Sequence, residues 1–178
     1  MYKNITYYHR TFCAACHILL QLRGKIKMKD KDIPPCMIFI NKDGKWFYKG
    51  AEMLHRDIIR EFYSGLSTDS YGHYIITLGE EQCYVEVEDT PFVVTRVELS
   101  SGKGDDDRLS LFLTDDTVEK LDPGTLRVGD NNVLYCSIRG NRFTARFSRA
   151  AYYQLADHIK EEGDKFYLPL NNKKYFLS

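Results

Sequence analysis

The sequence lacks two features that would place it in a class at once. It has no continuous apolar run of the roughly 18 residues that a membrane-spanning helix needs. Its formal net charge is zero, with 25 basic and 25 acidic residues, so no global field attracts nucleic acid. We therefore expect neither a membrane span nor a nucleic-acid partner.

The sequence also has little of what catalytic and metal sites are built from. The glycines of residues 102–104 lack the Gly-Lys-Ser/Thr ending of a phosphate-binding loop. The acidic run 105–107 lacks the alternating ligand spacing of a calcium loop. No nucleophile or paired histidine accompanies the acidic residues Glu88 and Asp89. We expect no metal, no cofactor and no catalytic residue.

Cysteines number five, and an odd count argues against a disulfide framework. Cys36, Cys83 and Cys136 lie in or beside apolar segments, where a free cysteine commonly acts as a small buried hydrophobe. The Cys-x-x-Cys-His spacing at 13–17 matches haem attachment, but that chemistry needs export, and no convincing signal peptide is present. The prediction is reduced cysteines, no haem and a cytoplasmic location.

The first residues differ in charge from the rest of the chain. Residues 1–29 contain six basic side chains and no acidic one: Lys3, Arg10, Arg23, Lys25, Lys27 and Lys29. We interpret 1–33 as a basic arm, either disordered or an artefact of start-site assignment, with Met28 as an alternative start.

The most informative feature present is an internal repeat. Residues 54–66 align with 147–159, and the hairpin-like segment 74–85 aligns with 166–177. Two copies of a strand–helix–hairpin unit predict a duplicated architecture. We place the N-terminal repeat domain at 34–101 and the C-terminal one at 102–178.

The pattern along the chain predicts an α+β fold with mostly antiparallel strands and one helix per half, because short turns join most strands. The predicted helices cover about 55–66 and 149–162, with Gly163 as the C-cap of the second. The predicted strands are 36–40, 45–49, 73–78, 84–87, 92–99, 108–114, 125–128, 133–138, 142–147, 166–170 and 174–177.

Three arginines are candidate anion ligands. Arg56 and Arg149 occupy matching places at the starts of the two predicted helices, and Arg146 shortly precedes the second. Guanidinium groups beside helix N-termini suit phosphate or carboxylate. Ion pairing between repeats, with a purely structural role, is the alternative.

Other side chains complete the candidate site. Glu88 or Asp89, in a turn after a predicted strand, could orient an arginine through two parallel hydrogen bonds, although a solvated strand face is the simpler interpretation. Trp46 or Tyr48 would offer a ring on which a ligand stacks.

Several segments resemble one known family. Glu88-Asp89-Thr90-Pro91-Phe92 and the Ala-Arg-x-x-Arg segment 145–149 are similar to the bacterial "domain of unknown function 1285" (DUF1285) family, and the match covers about 36–170. The resemblance implies a duplicated core with a pleckstrin-homology-like C-terminal half. It also implies a site between the domains for a nucleotide-like molecule and a role in bacterial signalling, with no established activity. Thr77 is a further candidate site residue. In members of the family a proline usually follows this threonine, whereas here Leu78 does.

The favoured function is a non-catalytic module that binds a small anionic molecule at the interface of the two repeats. The alternative is a protein-interaction module that presents a groove or a free strand edge to a partner. An enzyme that uses Glu88 or Asp89 as a base ranks last.

Overall fold

The structure is a computed structural model that describes residues 33–101 and 107–177. The Cys-x-x-Cys-His segment and nearly all of the predicted arm lie outside the described residues. The predicted domain boundary at residue 102 also falls outside them.

One six-stranded sheet belongs to the first part of the chain. Its strands are β1 (Pro35–Ile40), β2 (Trp46–Tyr48), β3 (Ala51–Glu52), β4 (Leu66–Thr68), β5 (Tyr74–Leu78) and β6 (Glu81–Val87), in the order β3-β2-β1-β6-β5-β4. Helix α1 (Arg56–Ser64) lies between β3 and β4 in the chain. Its buried residues are Phe62 and Tyr63.

A second six-stranded sheet and a small third one follow. The second contains β7 (Phe92–Ser100), β8 (Arg108–Leu113), β9 (Val118–Lys120), β10 (Arg127–Val128), β11 (Leu134–Ile138) and β12 (Phe143–Phe147), in the order β10-β11-β12-β7-β8-β9. After helix α2 (Arg149–Ala156) come β13 (Lys160–Glu162), β14 (Lys165–Leu170) and β15 (Lys173–Phe176), which form the third sheet.

The predicted α+β class is confirmed. Two six-stranded sheets and two helices make up most of the described chain, and nearly all of its described ladders are antiparallel. The pairing of β12 with β7 is parallel. The pleckstrin-homology likeness of the C-terminal half stays a prediction.

The topology agrees with the sequence repeat. Helix α1 is followed by an antiparallel meander of β4, β5 and β6, and helix α2 is followed by a meander of β13, β14 and β15. Arg56 and Arg149, which the alignment superposes, are the first residues of their helices.

The second helix is shorter than predicted. It ends at Ala156, and the amides of His158 and Ile159 bond three residues back, to Leu155 and Ala156, which tightens the last turn. The chain then continues as β13 rather than as helix. Gly163 is therefore not a helix cap. Its φ of +63° serves the tight turn between β13 and β14, a conformation that glycine adopts without steric cost.

The prediction of unpaired cysteines was wrong for two of the three that the structure describes. Cys36 and Cys83 form a disulfide with Cα atoms 5.0 Å apart, while Cys136 is free and buried. An odd count excludes only complete pairing, and 47 positions separate these two residues along the chain. Disulfides are typical of oxidising compartments. The cytoplasmic location therefore stays a prediction without support from these cysteines.

The described chain groups into two compact units. Of the described residues, the first unit contains 33–36 and His55–Val85, and the second contains Met37–Leu54, 86–101 and 107–177. In the first unit Phe62, Tyr63 and Ile76 are buried. The core of the second unit is larger and includes Ile40, Trp46, Phe92, Leu111, Leu134, Phe147, Leu155 and Leu168.

No helix in the described part of the chain combines the length and the hydropathy that a bilayer crossing requires.

Candidate functional site

Asp89 lies at the centre of a polar cluster in the second unit. Its Oδ2 atom accepts hydrogen bonds from Arg146 Nη1 at 2.7 Å and from the Tyr135 hydroxyl at 2.9 Å. Bonds to an ionised carboxylate are stronger than neutral ones, so this carboxylate holds both partners in place.

The cluster extends across three strands as a row. In the ladder of β11 and β12, Tyr135 stands opposite Arg146, and in the ladder of β10 and β11, Arg127 stands opposite Tyr135. Residues directly opposite in neighbouring strands point to the same face of a sheet. Arg127, Tyr135 and Arg146 therefore form one continuous line, which we name the Arg–Tyr–Arg row.

The tyrosine ring of the row is confined. The guanidinium carbon of Arg127 lies 4.6 Å from the centre of the Tyr135 ring, a cation–π contact. A Cβ atom added to Gly129 would approach a carbon of the same ring to 2.7 Å. Glycine is thus the residue that fits beside Tyr135.

Thr90 fixes the loop that carries Asp89. This buried threonine donates its hydroxyl to the carbonyl of Phe92 at 2.9 Å, and its oxygen accepts the backbone amide of Arg146 at 3.2 Å. The loop before β7 is therefore joined to β12, the strand that carries Arg146.

The electrostatics of the row follow from this geometry. Burial is the largest cause that raises the pKa of Tyr135 above its usual value, and the hydrogen bond to Asp89 and the negative charge of that residue add to it. Arg146 and Arg127 act in the opposite direction. Two guanidinium groups and one carboxylate leave the row with a net positive charge.

Glu88 lies beside Asp89 in the chain and has a different role. Its Oε2 atom accepts the backbone amide of Lys42 at 2.9 Å, and its own amide bonds to the carbonyl of Ile40. Glu88 therefore holds the turn between β1 and β2, and Asp89 is the neighbour that binds an arginine.

The other two predicted arginines lie in different surroundings. Arg149 is exposed, and its guanidinium carbon lies 5.9 Å from the centre of the Tyr153 ring on the next turn of α2. Arg56 is an exposed residue of the first unit. The convergence of Arg56, Arg146 and Arg149 on one ligand stays a prediction.

The predicted stacking residues differ in access. Trp46 is only 1% exposed, because its ring is buried in the core of the second unit. Tyr48 is half-buried and has the Lys49 ammonium 5.2 Å from its ring centre. Of the two alternatives, Tyr48 is the one that a ligand could reach.

Thr77 belongs to the first unit. Its hydroxyl oxygen accepts a hydrogen bond from Gln82 at 3.2 Å across the turn between β5 and β6. Its backbone carbonyl would lie only 2.2 Å from a Cβ atom added to Gly65. These contacts describe a structural position, and a ligand-binding role for Thr77 stays a prediction.

A second carboxylate–arginine cluster was not predicted. Buried Asp115 accepts hydrogen bonds from the Arg139 guanidinium and from the amide and hydroxyl of Thr117. The guanidinium carbon of Arg139 lies 4.6 Å from the centre of the Phe92 ring. The backbone amide of Arg139 donates to Glu119 Oε2 at 2.8 Å.

A third polar cluster, also not predicted, lies in the first unit. Asp69 Oδ1 accepts the amides of Tyr71 and His73, while Oδ2 lies 3.0 Å from His73 Nδ1 and accepts the Tyr84 hydroxyl at 3.3 Å. Burial raises the pKa of Asp69, but the hydrogen bonds from His73 and Tyr71 outweigh it and hold that pKa below its usual value. The cluster closes the loop between β4 and β5.

Metal ligands are not grouped in the described residues. No three histidine, cysteine, aspartate or glutamate side chains lie together there in a way that could hold an ion.

Two solved structures share this fold. A DUF1285 family protein from Silicibacter pomeroyi DSS-3 superposes with a TM-score of 0.68 and 22% sequence identity, over 90% of this chain and 92% of its own. A DUF1285 family protein from Shewanella baltica OS155 gives a TM-score of 0.56, also at 22% identity, over 68% of this chain and 91% of its own.

Sequence comparison adds no further relative, since no family model matches the chain and no curated protein matches it. At 22% identity the two structures establish the fold rather than a function. The resemblance to the DUF1285 family is thereby confirmed: this chain has the fold of two DUF1285 family proteins over most of its length.

Proposed function

We propose that this chain is a non-catalytic module that binds a small anionic molecule, with the Arg–Tyr–Arg row as the contact surface. One observation supports this most: among the described residues, the row presents two guanidinium groups on one sheet face and binds one carboxylate, that of Asp89. The role in bacterial signalling implied by the family resemblance belongs to the same proposal.

Arg127 is the member of the row that can receive a ligand. It is exposed, and among the described residues its contact is with the Tyr135 ring rather than with a carboxylate. Arg146, in contrast, is already paired with Asp89. An incoming anion would meet the Arg127 guanidinium first, and the planar fork of that group suits two parallel hydrogen bonds.

The test is an NMR titration of the side-chain Nε–H signals of arginine with inorganic phosphate and with butyrate. We expect saturable shifts of the Arg127 and Arg146 signals in the wild type, and no saturable shift of the Arg146 signal in Arg127→Ala. Arg149→Ala tests the alternative site at the start of α2 that the repeat suggested, and we expect it to bind as the wild type does. Arg142→Ala controls for the loss of an exposed arginine. If neither anion gives a saturable shift, or if Arg127→Ala binds equally well, the proposal is wrong.

A protein-interaction module is the second candidate, and one feature of the third sheet favours it. Tyr167 and Phe176 stand opposite each other with ring centres 5.6 Å apart, and Phe176 is 47% exposed. Exposed aromatic rings are enriched at protein interfaces. Sedimentation velocity of the wild type and of Phe176→Ser tests self-association through this face. If both proteins sediment as monomers at every concentration, a second copy of this chain is not the partner.

A further inference from the structure

Two polar groups that contact Tyr135, one at its hydroxyl and one over its ring, have unused hydrogen-bonding capacity. Both contacts of the Asp89 side chain use Oδ2, and Oδ1 accepts nothing from any described residue. The Arg127 guanidinium likewise donates to no described acceptor. Tyr135 contacts both residues, one through its hydroxyl and the other through its ring face.

Asp89 and Arg127 contact different parts of Tyr135. Asp89 is fixed by its bonds to Arg146 and Tyr135. The Tyr135 ring, which Arg127 covers, is fixed by its hydroxyl bond to Asp89 and by its close packing against Gly129. The cation and the carboxylate oxygen thus form no ion pair with each other, although both belong to one cluster. A molecule that bridges them would satisfy both groups.

The chemistry of the two ends differs, and this selects a ligand class. Arg127 donates hydrogen bonds and carries positive charge, so it takes an anionic acceptor. Asp89 Oδ1 accepts hydrogen bonds and carries negative charge, so it takes a hydroxyl or an ammonium group. A plain anion that covered the row would leave this oxygen without water and without a donor, which costs free energy.

We propose that the row selects small organic acids that carry a second hydrogen-bond donor, namely hydroxy acids or amino acids, over acids without one. This inference rests on the proposed function, because it assumes that Arg127 receives the anionic group. It adds that Asp89 Oδ1 accepts a hydrogen bond from the hydroxyl or ammonium group of the ligand.

The experiment compares three acids of matched size on the wild type: butyrate, 2-hydroxybutyrate and 2-aminobutyrate. The readout is the dissociation constant from the shift of the Arg127 Nε–H signal. We expect the hydroxy and amino acids to bind about three- to tenfold more tightly than butyrate, the factor that one additional net hydrogen bond gives. Asp89→Asn keeps the shape but removes the charge, so the advantage of the amino acid should fall more than that of the hydroxy acid.

The controls separate the two proposals. Glu88→Gln removes the neighbouring carboxylate, which binds the Lys42 amide, and should leave the ranking of the three acids unchanged. If butyrate binds as tightly as the other two, this inference is wrong and the proposed anion site stands. If none of the three acids binds but inorganic phosphate does, this inference is wrong and the proposed anion site stands. If phosphate does not bind either, the proposed function fails as well. An amino acid that binds best in the wild type and equally well in Asp89→Asn would also overturn the role of Asp89.

Discussion

The second unit contains two carboxylate–arginine pairs of similar chemistry in different surroundings. In the pair of Asp115 and Arg139 the side chains are 2% and 21% exposed, whereas in the pair of Asp89 and Arg146 both are 24% exposed. Asp115 uses both of its oxygens within the protein, while Asp89 keeps Oδ1 unused among the described residues.

This difference separates a structural pair from a candidate binding pair. Arg139, in the turn after β11, binds Asp115 in the turn after β8 and Glu119 in β9. Its guanidinium lies over the Phe92 ring in the core. A fully used carboxylate has nothing to offer a ligand. A carboxylate that keeps one oxygen for solvent, beside an arginine row, can exchange water for a ligand at small cost to the fold.

The largest effect is expected at Asp115. Its replacement by alanine leaves the Arg139 cation without its buried partner and should lower the free energy of unfolding by about 3–5 kcal/mol. Urea denaturation followed by tryptophan fluorescence measures the change, since Trp46 is buried in the same unit.

Asp89→Ala is the matched comparison for that measurement. Water reaches the Arg146 side chain, so its loss of a partner should cost less than half as much as the Asp115 change. If the two variants are equally destabilised, the assignment of one pair to the fold and of the other to binding is wrong.

The next effect is expected at Gly129 and sharpens the picture of the Arg–Tyr–Arg row. An alanine Cβ would meet the Tyr135 ring at 2.7 Å, so the ring must move. We expect Gly129→Ala to cost about 1–3 kcal/mol, as overpacking does, and to weaken anion binding at Arg127. Gly124→Ala is the control, because its Cβ would meet only the Asp122 side chain, at 3.3 Å. Equal effects in both variants would show that Tyr135 is not confined by Gly129.

The strands of the row were predicted, but their register was not. The predicted strands 133–138 and 142–147 would pair Ile138 with Arg142 and set Tyr135 opposite Ala145. The observed turn is one residue longer and pairs Ile138 with Phe143, which sets Tyr135 opposite Arg146. A one-residue change in register moves every side chain to the other face of the sheet, so the length of this turn decides whether the row forms.

The rest could not be derived, for physical reasons that differ by residue. Arg127 reaches Tyr135 through an irregular connection in which Asn131 and Asn132 adopt left-handed backbone angles, and no sequence rule fixes that register. Asp115 and Arg139 meet because two separate turns pack together, and local patterns carry no information on such packing. The disulfide was missed in the same way, since Cys36 and Cys83 come together through tertiary structure.

A smaller effect is expected from Tyr135→Phe at neutral pH. The substitution keeps the ring beneath Arg127 and removes the hydroxyl that binds Asp89, so it isolates one hydrogen bond of the row. We expect a loss of about 1–2 kcal/mol, the range for a bond to a charged acceptor that water can partly replace. Tyr152→Phe on α2 controls for the loss of a half-exposed phenol. If the Tyr135 variant is as stable as the wild type, its hydroxyl does not hold Asp89.

The smallest effect is the pH dependence of that same difference. Burial and the bond to Asp89 raise the pKa of Tyr135 in the folded protein above the ordinary tyrosine value of about 10. As the pH rises past about 10, the unfolded chain therefore loses this proton before the folded protein does, and unfolding becomes more favourable. The stability that Tyr135 contributes should be fully present below pH 10 and should decline as the pH rises through the folded pKa. Urea denaturation of the wild type and of Tyr135→Phe at a series of alkaline pH values measures the difference. A gap between the two proteins that widens above pH 10 would show the opposite sign, and the phenol would then not be held in its protonated form by Asp89.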